Sequence, residues 1–485
     1  MGASLSLSPS RPQRIVMSPS GSTNDPPESA AMTRSVDPTR IMILGAAGRD
    51  FHLFNVLYRE DPGIRVVAFT AQQIPHIADR RYPPELAGPH YPDGIPIHPE
   101  ERLEALVREE EVDRCVLAYS DLSHAEVMHL ASRANTAGAG FELPDPHLTM
   151  LRSSRKVVAV CASRTGAGKS QTTRALVRIF RRWGRSVAVI RHPMPYGDLK
   201  RQRVQRFASE EDLAHHRVTI EEREEYEPHL ASGSVVFAGV DYQEILRDAE
   251  KEADILIWDG GNNDTSFLHA DLYLTVVDPH RPGHELRYHP GETNLRMADV
   301  VIVNKVDTAR YEDVLQVLDN VRTVNPHARI IEAASPLFVD DVEALRGRKV
   351  LCIEDGPTLT HGGMAYGAGM LGARRSGAAE IVDPRPFVTG ELAETFRSHP
   401  HMGPVLPAMG YGDEQIRELE ATVARAVRAD AVEAVAVGTP IALDRLIHLP
   451  VPHTRVRYEL QSLGSPNLEE VLAPLMDRVE DIGTP

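Results

Sequence analysis

Short apolar runs alternate with longer amphipathic stretches along most of this chain. Residues 41–44 and 64–69 have the length and apolar content of strands, and residues 51–60 between them show the spacing of a helix. The same alternation recurs at 113–119 and 125–134, and it continues in the second half of the chain. Strands separated by helices are typical of a parallel sheet covered by helices, so the pattern predicts an α/β fold.

Breaks in this alternation divide the chain. Residues 1–38 are rich in Ser and Pro and predict a disordered tail. Pro144 and Pro146, followed by a polar run, place a boundary near residue 150, and the apolar run at 349–353 opens a further α/β unit. We therefore predict a central parallel sheet over 151–347, flanked by a Rossmann-like α/β domain over 39–150 and a C-terminal α/β domain over 348–485. Because Ser163-Arg-Thr-Gly-Ala-Gly-Lys-Ser170 lies in the central segment, that segment is predicted to be a P-loop NTPase domain.

The strongest chemical signal follows the apolar run at 157–161. Residues 163–170 read Ser-Arg-Thr-Gly-Ala-Gly-Lys-Ser and open a helix predicted over 169–183, which is the context of a phosphate-binding loop. The glycines let backbone N–H groups face phosphates. Lys169 is expected to reach the β- and γ-phosphates, and the Ser170 hydroxyl to bind Mg²⁺. The predicted nucleotide-binding residues of this loop are Arg164, Thr165, Gly166, Ala167, Gly168, Lys169, Ser170 and Gln171.

Two further strand ends carry nucleotide chemistry. Asp259 ends the run at 254–258 and has the position of an acid that holds Mg²⁺ directly or through water. Residues 304–307 read Asn-Lys-Val-Asp after another strand and match a guanine-reading motif that ATP users of this branch also carry. The predicted base-contacting residues are Asn304, Lys305 and Asp307, and the predicted ligands of Mg²⁺ are Ser170 and Asp259. We expect ATP as co-substrate, with GTP as the alternative.

Basic loops at other strand ends predict an anionic substrate. Arg191 and His192 follow the strand after the phosphate-loop helix, Lys200 lies further along that loop, and Arg281 lies in a second basic loop. Arginine forks suit bidentate phosphate contacts, and lysine acts as a point charge. A glycine-rich loop predicted over 362–372 offers backbone N–H groups to an anion. The predicted substrate-binding residues are Arg191, His192, Lys200, Arg281, His361, Gly362 and Gly363, and the predicted catalytic residues are Lys169, Asp259, Arg191 and His192.

Two segments leave alternatives open. The acidic run at 221–227 is typical of a solvated helix face, but a carboxylate among Glu221, Glu224 and Glu225 would also serve to bind Mg²⁺ or take a proton. Residues 45–48 read Gly-Ala-Ala-Gly after the first strand, yet no acid ends the next strand to hold a ribose. A non-nucleotide ligand or a packing role is therefore favoured there over a dinucleotide.

Composition and charge exclude several classes of protein. The chain has 485 residues, a formal net charge of −16 at pH 7 and a sequence pI of about 5.7, which argues against nucleic acid as a partner. Its three cysteines, Cys115, Cys161 and Cys352, fit neither a disulfide framework nor a zinc motif. No apolar run approaches the roughly 18 residues of a membrane-spanning helix. We expect a cytoplasmic homodimer that binds a small anionic substrate, and neither nucleic acid nor a membrane.

Six segments together resemble cyclic 2,3-diphosphoglycerate synthetase and its bacterial relatives, a family of P-loop proteins often labelled predicted GTPases. The resemblance runs from about Ile41 to Leu460. The segments that carry it are Gly45-Ala-Ala-Gly-Arg-Asp50, Arg164-Thr-Gly-Ala-Gly-Lys-Ser170, Arg191-His-Pro-Met-Pro-Tyr-Gly-Asp198, Trp258-Asp-Gly-Gly-Asn-Asn-Asp264, Glu354-Asp-Gly-Pro-Thr-Leu-Thr-His361 and Pro407-Ala-Met-Gly-Tyr411.

The resemblance implies an ATP- and Mg²⁺-dependent cyclisation of 2,3-diphosphoglycerate to cyclic 2,3-diphosphoglycerate, with release of ADP and phosphate. Lys169, Mg²⁺ and the arginines near Arg191 and Arg281 would then offset the repulsion between two polyanions. The alternative is a GTPase of the metallochaperone or regulatory branch that acts through a protein partner, which residues 304–307 favour. The additional α/β units with their basic loops favour an enzyme with a small anionic substrate.

Overall fold

Parallel strands connected by helices make up most of the computed structural model, which describes residues 37–46, 48–71, 80–192, 197–360, 363–408 and 413–477. The α/β fold predicted from the apolar pattern is confirmed. The predicted tail over 1–38 lies outside the described residues, except for Asp37 and Pro38. Within the described ranges, no helix is both long and apolar enough to cross a membrane.

The first sheet is built from the N-terminal part of the described chain. Its elements are β1 (Thr39–Leu44), α1 (Arg49–Leu53), β2 (Ile64–Ala71), β3 (Arg81–Tyr82), α2 (Pro84–Ala87), β4 (Ile95–Pro99), α3 (Leu103–Glu109), β5 (Arg114–Leu117), β6 (Leu122–Ser123), α4 (His124–Ala137) and β7 (Gly140–Glu142). The strand order is β3-β4-β2-β1-β5-β7, and only β3 and β4 pair in antiparallel fashion. Where a single helix was predicted over 51–60, α1 continues as a wider π-helical turn over Phe54–Tyr58. Its Phe51 ring stacks on Tyr82.

The remaining elements belong to the central and C-terminal parts of the chain. The central elements are β8 (Lys156–Ala162), α5 (Lys169–Arg182), β9 (Val187–Arg191), β10 (Gln205–Phe207), α6 (Glu210–His216), α7 (Ile220–Ala231), β11 (Val235–Ala238), α8 (Tyr242–Glu252), β12 (Ile255–Asp259), β13 (Leu272–Val277), β14 (Tyr288–His289), α9 (Gly291–Met297), β15 (Val300–Val303), α10 (Tyr311–Val324) and β16 (Arg329–Ala334). The C-terminal elements are β17 (Leu337–Val339), β18 (Lys349–Asp355), α11 (Gly356–Thr360), α12 (Ala368–Arg375), β19 (Glu380–Ile381), α13 (Gly390–Ser398), β20 (Leu406–Ala408), α14 (Asp413–Arg428), β21 (Ala434–Gly438), β22 (His453–Tyr458), β23 (Gln461–Leu463) and α15 (Leu468–Asp477).

Strand β8 lies in the middle of a nine-stranded sheet with the order β10-β11-β9-β12-β8-β13-β15-β16-β23. The seven inner strands are parallel, and the edge strands β10 and β23 are antiparallel to their neighbours. Because parallel strands share one carboxyl edge, the loops after β8, β9 and β12 meet there. The register places Asp259 beside Arg191 of β9 and Val160 of β8.

The C-terminal sheet has the order β17-β22-β21-β18-β19, with β20 also paired to β18. The glycine-rich segment predicted as a loop over 362–372 is helical from Ala368 onward. The cause is a buried carboxylate that accepts hydrogen bonds from the first turn of α12. Glu354, at the end of β18, accepts them from the N–H groups of Gly369 and Met370 at 2.9 and 2.7 Å.

Strand pairing crosses the boundaries predicted for the three domains. Strand β6 pairs with β14, β16 with β23, and β17 with β22. In addition, α15 packs Leu468, Val471 and Leu472 into the apolar core of the central sheet. The three-domain division stays a prediction, but the segment 348–485 supplies both an edge strand and a helix to the central sheet.

Candidate nucleotide and substrate site

The phosphate loop lies between β8 and α5. Gly166 and Gly168 have φ angles of +79° and +117°, in the left-handed region that favours glycine. The Asn304 Nδ2 donates a 2.8 Å hydrogen bond to the Ala167 carbonyl, and a Cβ on Gly168 would lie only 2.1 Å from the same Nδ2. The loop is therefore shaped by its glycines and braced by the strand end that carries Asn304.

Replacing Gly168 by alanine is expected to weaken ATP binding about 30-fold, or ~2 kcal/mol, because the added Cβ would displace the Asn304 side chain. The matched control is Gly138→Ala, since Gly138 has a φ of +110° and no heavy atom within 4 Å of its ideal Cβ. Titration of both variants with a fluorescent ATP analogue separates the clash from the backbone strain that they share. Equal ATP affinity of the two variants would contradict the geometry.

Lys169, Asp259 and Arg191 form a buried charge cluster at the carboxyl edge of the central sheet. The Lys169 Nζ lies 2.5 Å from Asp259 Oδ1, and the Arg191 Nη1 lies 2.6 Å from Asp259 Oδ2. Asp259 is 0% exposed and Arg191 is 1% exposed. Burial acts to raise the pKa of Asp259, but the Arg191 and Lys169 cations hold this pKa well below its ordinary value. The carboxylate is therefore ionised at neutral pH.

Helix α7 brings two further side chains to this cluster. Arg191 also pairs with Glu225, and the His229 Nε2 lies 3.4 Å from Asp259 Oδ2. Burial lowers the pKa of His229, although Asp259 acts in the opposite direction. His229 is therefore a neutral imidazole beside an ionised carboxylate, and it adds no charge to the cluster at neutral pH.

The interpretation of residues 221–227 as a solvated helix face is wrong. Glu224 and Glu227 are buried. The Glu224 Oε1 accepts a 2.5 Å hydrogen bond from the Thr439 hydroxyl, and the Glu227 Oε1 accepts one of 2.9 Å from the Ala442 N–H. The C-terminal part of the chain covers this face, which is why a run of glutamates lies inside the protein.

His192, the first residue after β9, faces the first sheet. Its Nε2 lies 3.2 Å from Asp264 Oδ2. A Cβ on Gly48 would lie 2.1 Å from this Nε2, and a Cβ on Gly261 would lie 3.2 Å from the His192 Cβ. The imidazole is enclosed by the glycine loop of the first sheet and the loop after β12. Gly48 therefore packs against His192, which fits the packing role favoured as one alternative for this segment.

The second basic cluster packs against the phosphate loop itself. The Arg281 Nη2 donates a 2.8 Å hydrogen bond to the Thr165 carbonyl, and the Lys305 Nζ donates one of 2.7 Å to the Gly166 carbonyl. Both cations also pair with the buried Asp278, at 3.0 and 2.8 Å. Arg281 and Lys305 thus place positive charge directly behind the loop that is expected to hold phosphates.

Arg164 connects the phosphate loop to its neighbours. Its Nε donates a 2.8 Å hydrogen bond to Asp121 Oδ1, and its Nη1 lies 2.9 Å from His284 Nδ1. The guanidinium carbon lies 3.6 Å from the centre of the Tyr288 ring. The guanidinium is therefore engaged with the first sheet and with the loop after β13.

Strand ends also converge where the nucleotide base was expected. The Asp307 Oδ1 accepts a 3.0 Å hydrogen bond from the Ser335 N–H, and the Ser335 hydroxyl donates one of 3.1 Å to Gln171 Oε1. Asn304 is buried and Asp307 is exposed. The loops after β15 and β16 and the first turn of α5 thus meet beside the phosphate loop.

Two of the remaining predicted substrate residues, Lys200 and Gly363, do not join the buried cluster. Lys200 is half exposed and pairs with Glu85 at the surface. Gly363 is exposed, with a φ of +65° and no heavy atom within 4 Å of its ideal Cβ. His361 and Gly362 lie outside the described residues. The substrate roles of these four residues stay predictions.

Ser170 and Asp259 fit a magnesium site. Ser170 is the second residue of α5 and partly exposed, and the Asp259 carboxylate is ionised. Mg²⁺ needs only one or two protein oxygens, because waters and substrate phosphates complete its octahedron. In the part of the chain that the structure describes, no group of three or more His, Cys, Asp or Glu side chains is placed to hold a metal. These two residues are therefore suited to a metal that arrives with a nucleotide.

The sequence assigned no role to three residues at or next to this site, which are Asp264, His229 and Arg49, the last of them close to Asp264. Asp264 lies five positions after Asp259 in an unusual motif, and Arg49 directly follows the glycine loop of the first sheet. Asp264 and Arg49 could have been found from the sequence, because both are polar residues of unusual motifs and neither had an assigned role. His229 carries no local signal, since it lies at the end of an acidic helix.

Comparison with known proteins places the chain in a family. The CobW/HypB/UreG nucleotide-binding domain family matches residues 249–332. Arginine synthetase ArcE of Thermococcus kodakarensis is 59% identical to this chain over 433 residues, which cover 89% of this chain and 96% of that relative. The chain is thus similar to this relative over almost its whole length.

Two solved structures have a more distant likeness. LpxK from Aquifex aeolicus, crystallised with ATP, covers 78% of this chain and 99% of its own at 12% identity and a TM-score of 0.41. Cobyrinic acid a,c-diamide synthase from Mycobacterium smegmatis, with a bound ATP analogue and magnesium, covers 36% of this chain and 70% of its own at 17% identity and a TM-score of 0.17. The fold of this chain is defined by the strand order of its own sheets.

The near-full-length relative corrects the function predicted from sequence motifs. Cyclisation of 2,3-diphosphoglycerate is overturned, because the relative is named for a different reaction. The alternative of a regulatory GTPase gains no support from it either, and membership of the cyclic 2,3-diphosphoglycerate synthetase family is not confirmed. What holds is the coarser assignment to the P-loop nucleotide-binding proteins. The chain is a P-loop protein that belongs to the family of the arginine synthetase ArcE.

Proposed function

We propose that this protein is a ligase that forms arginine at the expense of ATP. The observation that carries the proposal is the 59% identity to a relative named for arginine synthesis, over 96% of that relative. The buried charges fit this assignment better than a second polyanion. Asp264 and Glu225 place carboxylates next to His192 and Arg191, where they would repel a diphosphate and suit an amino acid.

The chemistry needs a nitrogen joined to the central carbon of a guanidinium group. The ureido analogue of arginine, L-citrulline, carries an oxygen at that carbon, and this oxygen leaves poorly until it is phosphorylated. Transfer of the γ-phosphoryl group to the ureido oxygen forms a P–O bond and releases ADP. Ammonia then adds to the carbon, phosphate departs with the electron pair of the C–O bond, and loss of a proton from the added nitrogen gives the guanidinium.

The buried cluster supplies positive charge to the phosphoryl transfer. Lys169 and Arg191, both held by Asp259, present cations where negative charge develops. His229 beside Asp259 helps to fix the carboxylate that orients them. Bound Mg²⁺ would be held by Ser170 and by Asp259 and would neutralise phosphate charge. Proximity of the phosphorylated intermediate to ammonia in one enclosed site then favours the second step over hydrolysis.

The test follows label from ammonium into arginine. The full chain is incubated with Mg²⁺, ATP, L-citrulline and ¹⁵N-ammonium, and labelled arginine, ADP and phosphate are quantified by mass spectrometry and phosphorus NMR. We expect one arginine for each ADP, and neither product when citrulline or ammonium is omitted. GTP in place of ATP gives the base preference in the same assay. ATP hydrolysis that ignores both substrates, with no labelled arginine, would sink the proposal.

A further inference from the structure

Arg49 of the first sheet reaches toward the central sheet with its charge unpaired. It follows the glycine loop after β1, and its guanidinium lies 5.9 Å from the centre of the Phe267 ring. Its Nη1 is buried and has no hydrogen-bond partner. No ion pair joins Arg49 to any residue that the structure describes. Arg49 as a whole is partly buried. Because an arginine stays charged in proteins, a buried guanidinium nitrogen without a partner calls for an anion.

Asp264 of the central part of the chain presents the complementary charge. It is 2% exposed, and its Oδ2 faces His192 while its Oδ1 is buried without a hydrogen-bond partner. Asp264 is near enough to act against the lowering of the Arg49 pKa that burial causes, yet the two side chains form no ion pair. Two opposite charges that lie close to each other without pairing suit a ligand that carries both signs.

Two histidines close to Arg49, His52 and His289, are neutral at neutral pH. Burial lowers the pKa of His52 to about 3 and that of His289 to about 4, and Arg49 acts in the same direction on both. His52 is further occupied by a 2.7 Å contact to the Thr149 carbonyl. Arg49 and Asp264 therefore supply one positive and one negative charge here, and neither histidine adds to them at neutral pH.

We propose that Arg49 and Asp264 bind the α-carboxylate and the α-ammonium group of an amino acid substrate. This inference rests on the proposed function, and it adds where the amino acid lies and which residues select for it. An α-amino acid is the smallest common metabolite that satisfies both orphaned atoms at once, since Nη1 donates to its carboxylate and Oδ1 accepts from its ammonium group.

The position of this head-group site suits a side chain that points at the phosphate loop. The Asn263 Nδ2 lies 3.3 Å from the Thr165 hydroxyl, so the residue before Asp264 touches the loop. The Cys161 thiol, just before the loop, donates a 3.4 Å hydrogen bond to the Asp264 carbonyl. His192 contacts Asp264, and Arg191 before it contacts Asp259. An amino acid held by its head group thus extends its side chain toward the charges that act on the nucleotide.

The test compares ligands that lack one head-group charge. Calorimetry of the full chain with L-arginine, agmatine and 4-guanidinobutanoate measures how much the carboxylate and the ammonium group each contribute to the binding affinity. We expect L-arginine to bind roughly 30-fold tighter than either analogue. Arg49→Gln should abolish the preference for L-arginine over agmatine, which lacks the carboxylate. Asp264→Asn should abolish the preference for L-arginine over 4-guanidinobutanoate, which lacks the ammonium group. Both variants should bind a non-hydrolysable ATP analogue with unchanged affinity. The control is Arg310→Gln, since Arg310 is 76% exposed.

The outcomes separate this inference from the proposed function. Arginine-forming turnover with equal binding of L-arginine and agmatine would overturn the head-group site alone. The same holds if Arg49→Gln weakens L-arginine and agmatine equally, because the effect would then be structural. If wild type does not bind L-arginine, pairs of other amino acids and their decarboxylated amines are titrated in the same way. If the protein prefers an amino acid over its decarboxylated amine in any pair, and Arg49→Gln removes this preference, the head-group site stands and arginine is overturned as the substrate. If no amino acid is preferred over its amine, both the head-group site and arginine as the substrate are overturned.

Discussion

Lys169→Gln is expected to lower kcat for arginine formation roughly 1000-fold, because it removes the cation that meets the transferring phosphoryl group. Lys169 begins α5 and lies 2.5 Å from Asp259 Oδ1, so the loss also leaves that buried carboxylate with one cation fewer. Glutamine keeps a polar donor of similar length but no charge. Steady-state turnover at saturating ATP and citrulline measures the effect, and circular dichroism verifies that the variant is folded.

The matched control for this variant is Lys251→Gln. Lys251 is 71% exposed and pairs with Asp248 three positions earlier, so the kcat of the Lys251→Gln enzyme should equal that of the wild type. A Lys169→Gln enzyme that retains a tenth of the wild-type kcat would mean that the phosphate loop does not use this lysine. Arg281 and Lys305, which already contact the loop carbonyls, would then be the next residues to test.

The nucleotide part of the site could be predicted because its residues follow strands in a parallel sheet. Lys169, Asp259 and Arg191 lie directly at or after the ends of apolar runs, and parallel strands bring such ends to one edge. The structure adds the register that makes Asp259 and Arg191 neighbours, which no spacing in the sequence reveals. The pattern of apolar runs therefore indicated which residues lie at the same edge of the sheet, and the order and register of the strands show which of them are neighbours.

The rest of the site could not be predicted, because distant parts of the chain decide its burial. Glu224 accepts a hydrogen bond from Thr439, 215 positions away, so an acidic run that looks solvated lies inside the protein. The role proposed for Arg49 depends on Asp264, which lies 215 positions further along the chain in the segment between β12 and β13. Side chains whose environment comes from the packing of separate units carry no periodic signal.

The substrate was mistaken for a related reason. The motifs that carry the resemblance, such as residues 164–170 and 258–264, describe a phosphate-handling scaffold that different reactions share. What selects a substrate is the charge around that scaffold, and here Asp264 and Glu225 are acidic. Basic residues counted along the sequence suggested an anion, but Arg281 packs on the phosphate loop and Lys200 lies at the surface.

Arg191→Met is expected to lower the free energy of unfolding by roughly 3–5 kcal/mol at neutral pH, because it leaves the buried Asp259 and the partly exposed Glu225 without their common cation. Arg191 is 1% exposed and pairs with Asp259 and Glu225. Methionine fills most of the stem volume, so the loss is mainly one of charge. Urea unfolding followed by circular dichroism measures it. The control is Arg296→Met, which breaks an exposed pair with Glu292 and should cost about 0.5 kcal/mol.

The pH dependence of this loss identifies its cause. In the wild type, the pKa of Asp259 is depressed on folding, so its contribution to stability is complete above the unfolded value of about 3.9 and disappears as the pH falls through the folded value. Without Arg191, one of the two cations that offset the effect of burial on Asp259 is missing, so the pKa of Asp259 in the folded state rises. The gap in unfolding free energy between wild type and Arg191→Met should therefore be widest at neutral pH and should narrow as the pH falls toward about 4. A gap that stays constant over this range would assign the loss to packing of the arginine stem and would remove the electrostatic role given to Arg191.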